Sequence, residues 1–187
     1  PSRRHPPGPP VNTVPTAGSD ATSTARGVAT ALVALGTRHV VLCPGSRSAP
    51  LAFAWEALAA RGEVELHVRI DERAGAYLAL GLAKATHTVV PVVTTSGTAV
   101  GNLLPAVMEA AHAGIPLMLL SADRPTAQHH TGASQTTHQP GLFDRFVRAA
   151  AHVEGGGVDA AVFQVGRLVA AAVGVRSADP GPVHLNI

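Results

Sequence analysis

Glu65-Leu66-His67-Val68-Arg69-Ile70-Asp71-Glu72-Arg73-Ala74-Gly75-Ala76-Tyr77-Leu78-Ala79-Leu80-Gly81-Leu82-Ala83-Lys84 is the stretch that decides the fold. Its first six residues alternate as a strand does. Asp71 then has a side chain suited to capping a helix, and the run from Glu72 is rich in Ala and Leu. Strand, sharp turn and helix put Glu72 at the first helical position, beyond the carboxyl end of a strand. In open α/β sheets that edge is where ligands bind. An acid there also suits the positive end of a helix dipole, with or without a ligand.

The same unit repeats on both sides. A helix is predicted from Asp20, with Ala25, Val28, Ala29, Leu32, Val33 and Leu35 on one face and Gly36 at its end. His39-Val40-Val41-Leu42-Cys43 reads as a strand covered on both faces, and a helix follows over residues 51–60. Downstream, a strand over residues 89–94 leads to a helix reaching Glu109 or Ala113, and a strand over 116–121 ends in Ala122-Asp123-Arg124-Pro125. Residues 126–139 read as a long loop and 140–146 as a short helix. Residues 147–153 read as a strand, 158–175 as a helix and 181–187 as a last strand. The predicted fold is α/β: a three-layer, doubly wound parallel sheet in flavodoxin-like order, with helices on both faces. Residues 1–19 hold six prolines and no apolar periodicity, so a disordered leader is expected there. The chain stops at a strand, which points to a fragment of a longer protein.

Of 187 residues, 46% are hydrophobic and 14% charged, enough apolar side chain for a sizeable core. The net charge is only +2 and aromatics are 3%, unlike a nucleic-acid binder with its basic, aromatic-lined surface. Apolar runs are too short to span a membrane. One cysteine, Cys43, excludes an internal disulfide, and no secretory signal is evident, so a cytoplasmic protein is expected.

Four predicted strand ends carry polar turns: residues 44–48, Asp71-Glu72-Arg73, residues 94–98 and residues 121–124. In a parallel sheet they share one rim. Arg47 and Arg124 on that rim suit a carboxylated ligand. No Gly-x-Gly-x-x-Gly, P-loop or Gly-x-Ser-x-Gly elbow occurs. His129, His130 and His138 lack a carboxylate or cysteine at matching spacing and read as exposed loop residues, so no metal site is expected in the chain. Gly75, Ala79 and Ala83 recur every four residues. They fit either generic small-residue packing or the close approach of a second subunit's helix.

Six segments occur in order: Pro44-Gly45-Ser46-Arg47-Ser48-Ala49-Pro50-Leu51, Ile70-Asp71-Glu72-Arg73, Thr94-Thr95-Ser96-Gly97-Thr98-Ala99-Val100, Pro105-Ala106-Val107, Ser121-Ala122-Asp123-Arg124-Pro125 and Thr131-Gly132-Ala133-Ser134-Gln135-Thr136. Together they resemble the MenD family of thiamine-diphosphate-dependent synthases of menaquinone biosynthesis, over residues 20–187, as the N-terminal pyrimidine-binding domain. That family decarboxylates 2-oxoglutarate and adds the product to isochorismate. The resemblance implies that Glu72 faces N1′ of the cofactor's aminopyrimidine, shielded from water, with Ser96, Gly97 and Thr98 also on the cofactor. It implies that Ser46, Arg47, Arg124, Ser134 and Gln135 line the substrate pocket. Ser134 stands where the family usually has Asn; it is shorter but still donates a hydrogen bond. The family's Gly-Asp-Gly…Asn motif for the diphosphate and Mg²⁺ is not in this sequence and belongs to a later domain. A homodimer or homotetramer is implied as well, and this chain alone is expected to be inactive. Two alternatives remain: a stand-alone α/β ligand-sensing module, or another thiamine-diphosphate enzyme of acetolactate-synthase type. Arg47 and Ser121-Ala122-Asp123-Arg124-Pro125 argue against the latter.

Overall fold

In the computed structural model the described residues are 17–154 and 157–187, with side chains from residue 21 onward. The first helix, α1 (Ala17–Ala34), already includes the last three residues of the expected leader. The rest of that leader lies outside the described residues.

The chain alternates strand and helix as its apolar pattern dictates. After α1 come β1 (His39–Leu42), α2 (Ala49–Ala60), β2 (Glu65–Val68), α3 (Glu72–Thr86) and β3 (Val90–Thr94). Then follow α4 (Thr98–Gly101), α5 (Leu104–Ala113), β4 (Leu117–Ser121), β5 (Ala149–His152), α6 (Gly157–Ala172) and β6 (Val183–Asn186). All neighbouring strands pair in parallel, in the order β2-β1-β3-β4-β6-β5. The first four places follow the flavodoxin-like order. The last strand of the chain, β6, then lies beside β4 and leaves β5 at the edge.

The central strands β3, β4 and β6 are buried along their whole length; β3 and β4 read as near-continuous apolar runs, whereas β6 alternates apolar residues with the buried His184 and Asn186. Two cores result, one on each face. Leu32, Trp55, Leu58 and Leu168 bring α1, α2 and α6 onto one face, while Ala76, Ala79, Val107 and Ala110 bring α3 and α5 onto the other. Pro91 sits inside β3, where a proline removes a ladder donor. The carbonyl of Val93, two residues on, accepts from Cys43, so Pro91 turns towards β1, and the β1–β3 pairing begins only at Val92.

Three expectations need correction. The single helix predicted after the turn that follows β3 is two helices, because Pro105 in the first turn of α5 has no N–H for the carbonyl of Gly101. Residues 140–146 form successive turns instead of a helix, with Gly141 at φ 83° and Phe143 buried as their anchor. The loop over residues 126–139 holds a short 3-10 turn at Thr126–Gln128.

Candidate active site

The strand order changes direction between β1 and β3, and the turns that follow these two strands touch. A Cβ on Gly45 would lie 2.4 Å from Thr95 Cβ, so only glycine permits the approach. The Arg47 amide donates to Thr95 Oγ1 at 3.3 Å. This is the position at which doubly wound sheets hold ligands.

Beside it lies a cleft of ≈ 600 Å³, lined among others by Ser46, Arg47, Asp123, Arg124, Phe53 and His152. Arg47 Nε donates to the main-chain carbonyl of Asp123 at 2.7 Å, which anchors the guanidinium at the cleft. Arg124 Nε is buried with no hydrogen-bond partner among the described residues. A buried, charged donor left unpaired costs free energy, which an anion would recover.

Asp123, 4% exposed, ties this cleft to a polar network beneath the rim. Its Oδ1 accepts from the Arg124 amide at 2.7 Å and lies 3.4 Å from His129 Nε2. Its Oδ2 accepts from Asn186 Nδ2 at 2.8 Å. Asn186 uses its full capacity: Nδ2 also meets His152 Nδ1, and Oδ1 accepts from Ser121 Oγ and Gln139 Nε2. With Ser121 donating to Asn186, His184 Nε2 donates to Ser121 at 2.7 Å. Burial holds the His184 imidazole neutral, with its pKa pushed down to about 4. Gln139 Oε1 accepts from the Gly97 amide at 3.0 Å, which extends the network to the turn after β3. His129 is therefore part of the network and not an exposed loop residue, a correction made by its carboxylate partner. His130 and His138 remain exposed and face each other at 4.6 Å between ring centres.

The turn after β3 meets the loop that carries Ser134 and Gln135. Gly97 has φ 84°, and a Cβ there would lie 2.9 Å from Gln135 Cγ. Ser96 Oγ donates to the Gln135 carbonyl at 2.8 Å. Ser96 and Gly97 are buried, whereas Thr98, Ser134 and Gln135 are exposed. Ser134 and Gln135 lie outside the residues that line the arginine cleft.

Glu72 opens α3 as its sequence position requires, with Asp71 Oδ1 accepting from the Ala74 amide at 2.7 Å. It is half-buried, and Asn102 Nδ2 donates to its Oε2 at 3.3 Å. The implied shielding from water is thus incomplete within this chain. On the same face Thr94 Oγ1, following Val90 and Val92 by the strand's alternation, is buried without a partner among the described residues. Cys43 lies below, its thiol pushed up to about 12 by burial and, further, by the Glu72 and Asp71 carboxylates.

Gly75, Ala79 and Ala83 do not face outward for a second subunit. All three are buried, and a Cβ on Gly75 would lie 2.6 Å from Cys43 Sγ, so they seat α3 on its own sheet. The structure thus brings together Ser46, Arg47 and Arg124, and separately Ser96, Gly97 and Gln135, while Glu72 pairs with Asn102. Asn102, Asp123, Gln139 and Asn186 were missed as site residues. Asn186 had a signal, a polar residue at the end of an apolar strand.

The chain belongs to the thiamine pyrophosphate enzymes: residues 22–142 match the family described as "Thiamine pyrophosphate enzyme, N-terminal TPP binding domain". Within that class it is 54% identical over 164 residues to the 2-succinyl-5-enolpyruvyl-6-hydroxy-3-cyclohexene-1-carboxylate synthase of Paenarthrobacter aurescens, 87% of this chain and 28% of the relative. It is 51% identical to the synthase of the same name from Nocardia farcinica, over 89% of this chain and 33% of the relative. For the Leifsonia xyli synthase the identity is 47%, over 95% of this chain and 31% of the relative. The chain thus spans about a third of the length of these relatives.

Proposed function

We propose that this chain is the pyrimidine-binding part of a 2-succinyl-5-enolpyruvyl-6-hydroxy-3-cyclohexene-1-carboxylate synthase, acting on 2-oxoglutarate and isochorismate. One observation carries the reading. A carboxylate that opens a helix (Glu72) and a cleft with two guanidinium groups (Arg47 and Arg124) occupy one rim of the sheet. The first suits a protonated ring nitrogen and the second suits dicarboxylate substrates.

The residues present fit the pyrimidine end of thiamine diphosphate. Glu72 offers an acceptor, and the unpartnered Thr94 hydroxyl lies on the same face. Glu72 holds a proton at N1′ of the ring, with Asn102 fixing its second oxygen. Ser96, Gly97 and Thr98 would border the ring, their turn fixed by Gln139 and Gln135. When bound, thiamine diphosphate supplies the nucleophilic carbon that decarboxylation and carbon–carbon bond formation require. Ser46, Arg47 and Arg124 would orient the substrate carboxylates; Ser134 and Gln135, outside that cleft, would approach the substrate from the loop beside Gly97. The diphosphate and Mg²⁺ fall to residues beyond this chain, whose sequence has no Gly-Asp-Gly…Asn motif.

A second copy completes the shielding of Glu72 in a homodimer or homotetramer. Val68 (50% exposed), Ile70 (82%) and Tyr77 (46%) present an apolar surface on either side of Glu72 in sequence, and such surfaces pair. A cytoplasmic setting belongs to the same reading, and the lone buried thiol of Cys43 suits a reducing compartment. Among the described residues no helix is long and apolar enough to cross a membrane.

The test is Glu72→Gln in the complete synthase. Turnover should fall by about 10²–10⁴-fold, the usual contribution of a positioned acid or base. Thermal stability should barely change, because an acid in a helix's first turn contributes under about 1 kcal/mol and a glutamine oxygen still accepts from Asn102. Near-normal turnover would leave Glu72 as a helix-dipole partner and nothing more.

A further inference from the structure

We propose that His39, Glu65 and His67 form a binding site for a divalent transition-metal ion of the zinc type. His39 and Glu65 open β1 and β2, at the opposite end of the strands from the rim described above, and His67 stands two residues further along β2. His39 pairs in register with Glu65, and His67 follows two residues on, so all three side chains leave one face of the sheet.

Their ligand atoms converge. His39 Nδ1 and His67 Nε2 are 3.3 Å apart. Glu65 Oε2 lies 3.5 Å from His39 Nδ1, and Oε1 lies 3.6 Å from His67 Nε2. Around a tetrahedral zinc ion with bonds of 2.0–2.2 Å, neighbouring donors stand about 3.3–3.6 Å apart. The two carboxylate edges use different oxygens of Glu65, so its side chain must turn slightly to bring one oxygen to both histidines; one ligand atom from each residue already lies within 4.8 Å of the others. Two imidazoles and one carboxylate suit zinc and its neighbours, whereas Mg²⁺ and Ca²⁺ demand oxygen ligands. The fourth position is open, as the exposure of the Glu65 side chain (66%) shows, while both histidines are largely covered (24% and 17%).

All three ligands stand on strands, which hold a ligand set more firmly than loops do. β2 is an edge strand with half its residues exposed, held on one side only, by β1. An ion shared by His39 on β1 and by Glu65 and His67 on β2 clips that edge strand to the sheet. None of the three residues lines the arginine cleft or hydrogen-bonds to Glu72. Sequence reading had expected no metal in this chain, because the ligands come from two strands with no compact motif between them.

The whole chain is titrated with ZnCl₂ by calorimetry in a non-chelating buffer, and its thermal unfolding is followed with and without the ion. One site with micromolar or tighter affinity is expected. An ion at a hundredfold excess over its dissociation constant should raise Tm by about 5–10 °C for a domain of this size. MgCl₂ at the same concentration should leave Tm unchanged. Co²⁺ should give the intense visible absorption of a four-coordinate site. Glu65→Gln, at an exposed position that the fold does not need, should weaken Zn²⁺ at least about tenfold, the loss that even outer-sphere partners reach. His39→Asn combined with His67→Asn should abolish binding; if that variant does not fold, Glu65→Gln decides. Absence of saturable Zn²⁺ binding below about 1 mM would overturn the proposal. So would undiminished binding in these variants, which would move the ion to the loop histidines 129, 130 and 138.

Discussion

Arg47 shows how one side chain can be anchored and still keep donors free for a ligand. Its Nε is committed to the Asp123 carbonyl, and Asp123 is in turn fixed by Asn186. A guanidinium has further donors in a rigid fork for a carboxylate. A lysine in its place keeps the charge but has one flexible ammonium for both tasks. We therefore expect Arg47→Lys, in the complete synthase, to weaken the isochorismate step about 10–100-fold, the value of a lost charge-assisted hydrogen bond. Decarboxylation of 2-oxoglutarate, assayed alone, should remain largely intact. Equal losses in both half-reactions would make Arg47 a support of the rim and not a substrate ligand.

Helix α3 carries the largest difference between sequence and structure. Glycine and alanine at four-residue spacing are ambiguous by pattern, since small residues permit close approach to a sheet or to another helix alike. The structure gives that face to β1 and β3, with Gly75 directly over Cys43. Gly75→Leu should then overpack the core and destabilise the fold by about 1–3 kcal/mol or more in urea unfolding. Gly81→Ala, a control on the open side with nothing within 4 Å, should be neutral or stabilising. A Gly75→Leu chain of unchanged stability that loses self-association would restore the intersubunit reading. Strands and helices were legible because each has its own apolar period, and Glu72, Arg47 and Arg124 because strand-end turns place them. The network was not legible: Asp123, Gln139 and Asn186 lie on three separate segments, up to 63 residues apart, and no local pattern pairs them. The split at Pro105 was overlooked, although proline at that position was visible.

At the scale of the whole molecule, the proposed reading gives the chain one end of a cofactor. On that reading the described rim would offer the Glu72 carboxylate for a proton shared with N1′ and guanidinium groups for substrate. The sequence carries no Gly-Asp-Gly…Asn motif for Mg²⁺ and the diphosphate, where most of the cofactor's charge resides. A half-site has little contact area to set against the entropy cost of association, about 4 kcal/mol or more. The most direct test is calorimetry of this chain with thiamine diphosphate and Mg²⁺, alone and then with the remaining domains of the synthase added in trans. The chain alone should bind with a dissociation constant of about 100 μM or weaker and show no turnover, and the added domains should tighten binding and restore turnover. Submicromolar binding by the chain alone would contradict the half-site account and make it a self-sufficient binding module.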